Sequence, residues 1–290
     1  MRSMRAFPPV LDVEALRAVA QDVDVRVVDV RWRLGDPLAG KAAYDMGHIP
    51  GAVFADLDKD LAAAPGDRGR HPLPSAETFA GAMARLGVGD GTRVVAYDDQ
   101  GGAIAARLWF LLRYYGHDQA SVLDGGIEAW TTAGLALTTD VMAPSASLFH
   151  PRPRPELIIG RDGLQSALDG GALLLDARDP ERYRGDVEPV DPRAGHIPGA
   201  DSAPFQENLA AGRFRDAAAL RERYDALGAS TRPTIVYCGS GVTACHDLLA
   251  MVVAGLPQAR LYPGSWSEWS RDPAAPVAVG PTAEGDLTRR

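Results

Sequence analysis

Cysteine is nearly absent from this chain. Of 290 residues only two, Cys238 and Cys245, carry a thiol, and they lie too close together to staple a fold by a disulfide framework. With His246 they match no compact zinc spacing either. Long apolar runs are missing too, since none approaches the length needed to span a bilayer. The first twenty residues, MRSMRAFPPVLDVEALRAVA, carry charge early and have no sustained apolar core like that of a signal peptide. Positive charge is in deficit, 30 Lys and Arg against 38 Asp and Glu for a formal net charge of −8. That balance argues against nucleic acid or an anionic membrane as the main partner. The expected home is a reducing cytoplasm. A hydrophobic content of 46% with 23% charged residues is ordinary for a soluble globular protein, and the length suits two domains of about 130 to 150 residues each.

What the sequence does contain is itself, twice. "VVDVRW" (27–32) is answered by "LLDARD" (174–179), an apolar run ending in Asp-x-Arg; "GHIPGA" (47–52) recurs identically at 195–200. "RVVAYDD" (93–99) is answered by "TIVYCGS" (234–240), and "GGIEAW" (125–130) by "GSWSEW" (264–269). Four blocks in the same order define a tandem duplication. The proline-rich stretch between the copies resists helix and reads as an extended linker. The expected division is a first domain over 1–140, a linker over 141–155 and a second domain over 156–290. Within the second copy, 173–176 and 234–237 read as strands, 217–227 and 242–255 as helices. Apolar strands joined by helices predict an α/β fold with a parallel sheet flanked by helices in each copy. Ligands of such sheets sit at the carboxyl ends of the strands, where Cys238 falls.

The turn after Cys238 has a purpose visible in its residue types. Gly239 and Gly241 let the backbone curl so that successive N–H groups point inward, and the helix that follows adds its positive end. Such a nest suits a thiolate, or a persulfide formed from one, and Ser240 and Thr243 add hydroxyls to its rim. The plain alternative is a buried structural cysteine at a tight turn; that alternative fits Cys245, which sits inside the helix with no glycine nest. A cysteine phosphatase needs an arginine six positions after the cysteine, and Ala244 stands there, which argues against the phosphatase reading.

The Asp-x-Arg strand, the GHIPGA turn and the strand–Cys–turn–helix together resemble the rhodanese-like sulfurtransferases in their two-domain form, over residues 20 to 280. The loop Cys-Gly-Ser-Gly-Val-Thr is similar to that of the 3-mercaptopyruvate-using branch, whereas thiosulfate-using relatives carry a more basic loop. The resemblance implies a tandem of rhodanese-like domains with only the second catalytic; the first copy places Asp98 where the second places Cys238. It implies that Asp58 and His71, within "ADLDKDLAAAPGDRGRHPLP" (55–74), complete a proton relay with Ser240 beside Cys238. Neighbouring Asp56 and Asp60 compete for the role of Asp58, and the bland reading of His71 is a solvated loop residue. It further implies that Arg182, in "ERYRGDVEPVDPRAGHIPGA" (181–200), holds a substrate carboxylate, as suits a forked guanidinium, with Arg193 as the second clamp. Arg184 is expected to face away from Arg182 by strand alternation. His48 and His196, Asp29 with Arg31, and Asp176 with Arg178 recur in both copies and are read as structural.

The expected chemistry is attack of Cys238 on the sulfur of a small-molecule donor, 3-mercaptopyruvate, leaving a persulfide cradled by the N–H groups of Gly239, Gly241, Val242 and Thr243. A thiol acceptor such as a thioredoxin-like protein, or cyanide, then takes the sulfur. Neither metal nor organic cofactor is required. Two rival readings stand beside it: thiosulfate as the donor, and a non-catalytic sulfur-carrier or interaction module.

Overall fold

The computed structural model describes residues 7–283 and 285–288; residues 1–6 of the amino-terminal stretch read above lie outside them. The chain forms two compact units. One comprises the residues up to Ala63, Leu73–Arg154 and Gly212–Phe214; the other comprises Ala64–Pro72, Pro155–Ala211 and the residues from Arg215 onward. Residues 141–154 form no helix or strand. The segment 64–72 lies in the first copy of the sequence repeat and yet belongs to the second unit, a departure from a division of the chain at a single linker.

The first unit holds a five-stranded sheet in the order Val10–Leu11, Ala120–Leu123, Arg93–Tyr97, Val25–Asp29, Val53–Phe54, with every pairing parallel. Its strands are short apolar runs buried on both faces, as a parallel sheet between helices requires. Leu16, Val27, Val95, Tyr97, Ile49 and Trp130 are among the side chains of one core cluster. Helices begin where the sequence supplies a side-chain oxygen: Asp12 accepts from the Ala15 amide (2.8 Å) and Ser75 from the Thr78 amide (3.0 Å).

The second unit repeats the plan with four parallel strands ordered Arg260–Leu261, Thr234–Tyr237, Leu173–Asp176, Ala200–Ser202. Two of these match the strands expected from sequence. Helix Ala217–Ala226 is capped by Asp216, which accepts from Ala219. The helix after the cysteine turn spans Ala244–Val253 and opens two residues later than expected, with Val242 and Thr243 still in the turn. Arg182 and Arg184 are not on a strand: Pro180–Arg184 is a short helix with proline in its first turn, where a missing N–H costs nothing. Strand alternation therefore does not apply to them.

The duplicated motifs do the same work in each unit. Arg31 forks onto the Asp29 carboxylate (2.6 and 2.9 Å) and reaches the Gly47 carbonyl (2.7 Å); Arg178 forks onto Asp176 (2.6 and 3.0 Å) and reaches the Gly195 carbonyl (2.7 Å). Each pair thereby ties a strand end to its GHIPGA turn. His48 stacks on Tyr44 and His196 on Tyr183, both with ring centroids 3.9 Å apart. Both tyrosine hydroxyls donate to the carbonyl of the turn's last alanine.

Candidate active site

Cys238 follows the strand Thr234–Tyr237 directly and is buried, with 2% of its surface exposed. Its Sγ accepts the Gly241 amide at 3.2 Å. Gly241 holds φ at +76°, and a Cβ there would lie 2.5 Å from the Pro263 carbonyl oxygen. Only glycine fits that position, and the turn depends on it. The backbone on either side is pinned to the next helix: the Trp266 amide donates to the Cys238 carbonyl (2.9 Å) and the Ser267 amide to the Gly239 carbonyl (2.8 Å).

Ser265 completes this anchor, and sequence reasoning did not single it out. It is fully buried with φ at +53°, a conformation rare outside glycine. Its hydroxyl accepts the Cys238 amide (3.2 Å) and donates to the Tyr262 carbonyl (2.9 Å). The first copy has Gly126 at the matching place, with φ at +56°. A serine replaces glycine where its hydroxyl accepts the Cys238 amide, a substitution visible in the alignment of the two repeats.

The first copy displays what this turn prefers to hold. The Asp98 carboxylate, fully buried, accepts four amides: those of Gln100 (2.9 Å), Gly102 (2.9 Å), Ile104 (2.7 Å) and Ala105 (2.9 Å). Burial pushes its pKa up, opposed by those four bonds. The first unit's nest is thus filled by its own carboxyl side chain. In the second unit a thiol stands at that place in the repeat.

The segment 64–72 runs against the same turn. Gly69 takes φ at +100°, and a Cβ on it would meet the Gly264 carbonyl oxygen at 2.7 Å. The Arg70 amide donates to the Ser267 hydroxyl at 3.0 Å. This delivers His71, 5% exposed, so that its Nδ1 lies 2.7 Å from the hydroxyl of Ser240, itself 7% exposed. A solvated loop residue would show neither the burial nor the partner.

Asp58 lies on the short helix Leu57–Asp60 in the first unit, exposed, with its carboxylate accepting the Trp32 indole N–H at 2.9 Å. Asp56 and Asp60 are occupied locally. Asp56 caps that helix through the Asp58 amide (2.9 Å) and pairs with Lys59 (2.8 Å), while Asp60 accepts the Asp56 amide (3.0 Å) and pairs with Arg85.

Arg182 and Arg193 part company. Arg182 sits beside the cysteine turn: a Cβ built on Gly239 would lie 3.4 Å from its Nη1. Its Nη2 is held by Glu188 (2.7 Å) and Asp191 (3.1 Å). Arg193 is committed elsewhere. Its guanidinium donates to the carbonyls of Ser270 (2.9 Å), Ala275 (2.8 Å), Asp272 (2.6 Å) and Trp269 (3.2 Å). All are at or beyond the end of helix Ser265–Trp269, where unpaired carbonyls attract a cation. The residue expected as second clamp thus spends its donors on the backbone. Arg184 pairs with Asp186 at 2.7 Å at the surface. Cys245 is fully buried in the helix, its thiol donating to the Gly241 carbonyl at 3.3 Å.

Among the described residues no group of three or more His, Cys, Asp or Glu is arranged to hold a metal ion, and no helix is long and apolar enough to cross a membrane. The duplicated α/β units, each with its strand-end loop built as a nest, define the architecture of a known class. The Rhodanese-like domain family matches residues 12–133 and again 161–272, and the chain belongs to that family. It is 47% identical over 277 residues to a Pseudomonas aeruginosa protein named as a probable 3-mercaptopyruvate sulfurtransferase, covering 93% of this chain and 98% of that one. It is 44% identical over 265 residues to SseB of Mycobacterium tuberculosis, named provisionally as a thiosulfate sulfurtransferase, covering 88% and 91%. Among solved structures it resembles Escherichia coli SseA, described as a 3-mercaptopyruvate sulfotransferase of rhodanese fold. That likeness has a TM-score of 0.80 at 33% identity, over 90% of this chain and 100% of the other.

Proposed function

We propose that the protein moves a sulfane sulfur from 3-mercaptopyruvate, through a persulfide on Cys238, to a thiol or to cyanide, releasing pyruvate. The observation that carries this reading is the buried Cys238, whose Sγ accepts the Gly241 amide, in the same turn as Ser240 with its His71 partner. The Cys238 thiolate attacks the donor's sulfur; the new S–S bond forms as the donor's C–S bond breaks, and its electron pair leaves on carbon as the enolate of pyruvate. That enolate takes a proton through Ser240 and His71, with Asp58 as the third member, a task suited to imidazole near neutrality. Arg182 orients the donor's carboxylate. The persulfide shares its charge with the N–H groups of Gly239, Gly241, Val242 and Thr243, as the Asp98 carboxylate shares its own with the amides of the first copy. A second thiol, in a small molecule or a thioredoxin-like protein, attacks the outer sulfur and restores Cys238. The chemistry suits a reducing cytoplasm.

Thiosulfate is the rival donor, favoured by the name of the mycobacterial relative. The uncharged loop residues Gly239, Ser240 and Gly241 favour mercaptopyruvate. A comparison of kcat/KM for the two donors, with cyanide as acceptor, decides between them; a preference for thiosulfate overturns the donor assignment. Cys238→Ser is expected to abolish turnover and the gain of one sulfur atom in mass on incubation with donor. A wild-type protein that gains no sulfur would instead be an interaction module.

A further inference from the structure

The arginines beside the cysteine turn have their charge already matched. Arg70 Nη1 donates to Asp191 Oδ1 at 2.6 Å and Arg182 Nη2 to Asp191 Oδ2 at 3.1 Å, so one carboxylate bridges both guanidinium groups. Glu188 holds Arg182 from the other side at 2.7 Å and also meets Arg178 at 3.3 Å, whose fork is closed on Asp176. The acids are the deeper partners: the side chains of Asp191 and Glu188 are each 3% exposed, against 21% for Arg70 and 15% for Arg182. Glu188 is fixed further by the amides of Val190 (3.1 Å) and Asp191 (3.0 Å). Three arginines thus meet three acids in one ion-pair network, and their charges cancel. The network borders the turn, where a Cβ added at Gly239 would lie 3.1 Å from Arg70 Nη2 and 3.4 Å from Arg182 Nη1. The turn itself brings no charge, since residues 239–243 read Gly-Ser-Gly-Val-Thr.

We propose that Asp191 is a specificity-determining residue: its carboxylate, with that of Glu188, cancels the arginine charge beside the cysteine turn and so selects a singly charged sulfur donor over a doubly charged one. The inference rests on the proposed function and gives its choice of donor an electrostatic cause. 3-Mercaptopyruvate brings one carboxylate and a neutral thiol, whereas thiosulfate is a dianion. Each loses hydration on entering a buried site, and the loss is heavier for the dianion. Uncancelled guanidinium charge would offset that loss. A cancelled pair still presents N–H donors that orient a single carboxylate, but it lacks the field that would draw in a second negative charge.

The test is kcat/KM for thiosulfate and for 3-mercaptopyruvate, with cyanide as acceptor, in Asp191→Asn, Asp191→Glu and Glu188→Gln. Inhibition by pyruvate and by sulfate, unreactive anions of one and two charges, is measured alongside. Asp191→Asn removes one negative charge at nearly constant shape. The ratio of kcat/KM for thiosulfate to that for mercaptopyruvate should rise by about 10- to 100-fold, and sulfate should gain on pyruvate as an inhibitor. Glu188→Gln removes the same charge from the other side and should move the ratio in the same direction. Asp191→Glu keeps the charge and should hold the wild-type ratio even where both rates fall, because misplaced arginines penalise both donors. Circular dichroism confirms that each variant is folded, and if Asp191→Asn is not tolerated Glu188→Gln carries the test. A ratio unchanged in the Asn and Gln variants, or moved equally by Asp191→Glu, would overturn the proposal. A wild-type preference for thiosulfate would overturn the donor assignment alone, since the charge rule is read from the change between variant and wild type.

Discussion

Arg193→Met separates an arginine that builds the fold from one that binds substrate. The wild-type guanidinium donates to four backbone carbonyls, at 2.6, 2.8, 2.9 and 3.2 Å. Hydrogen bonds from a charged donor contribute about 1.5–3 kcal/mol each when buried. This side chain is half-buried, so water recovers part of every lost bond, and the methionine stem keeps much of the packing. A net loss of about 2–4 kcal/mol follows, well below the sum of four isolated bonds. At about 2–4 °C per kcal/mol for domains of 150–250 residues, the melting temperature should fall by roughly 5–15 °C. Differential scanning calorimetry measures that shift, and kinetics at 25 °C on the folded variant should give a KM for 3-mercaptopyruvate close to wild type. An unchanged melting temperature with a tenfold higher KM would refute the reasoning and return Arg193 to the substrate.

His71→Gln is expected to lower kcat with 3-mercaptopyruvate on the order of 10²-fold, within the range of general acid–base catalysis. Transfer from a preformed Cys238 persulfide to cyanide needs no enolate proton and should hold within a few-fold; equal losses in both half-reactions would sink the relay. Asp247 supplies a pH prediction. It is fully buried, hydrogen-bonded to the Asn208 amide at 2.7 Å, and burial pushes its pKa up to about 7, opposed by Arg223, Asn208 and Tyr224. Because the folded state holds this proton above the unfolded carboxylate's ordinary value near 3.9, stability is greatest below that value and falls as pH rises toward 7. The loss from this group is at most about 4 kcal/mol, three pH units at about 1.4 kcal/mol each. Asp247→Asn should therefore gain on wild type between pH 5 and pH 8 in denaturant titrations, and a difference that does not vary with pH would count against it.

The architecture was legible because duplication writes it twice. The repeat of "GHIPGA" and of Asp-x-Arg marks turns whose residues bond locally, Arg178 to Asp176 and to Gly195, and local bonds leave local patterns. Cys238 and its glycines were legible for the same reason: a strand end, a turn and a helix start are contiguous in the chain. Pro180 after Asp179 signals a helix start, and reading it would have removed Arg182 and Arg184 from any strand. Ser265 was hidden in plain alignment opposite Gly126.

Arg70 and Arg193 mark the boundary between what composition and order determine and what only the folded chain decides. Two α/β copies, a cysteine at the carboxyl end of a strand in one and an aspartate at the same place in the other are legible in the order of residues alone. These follow from periodicity, turn chemistry and repetition, all short-range. Which arginine stands beside that cysteine was decided by tertiary structure. Residues 64–72 leave their own copy to run along the Gly264–Ser267 turn, some 200 positions away in sequence, and Arg193 is drawn to the open carbonyls at a helix end. A guanidinium goes where unpaired acceptors are, and acceptors are left over only once the backbone has folded.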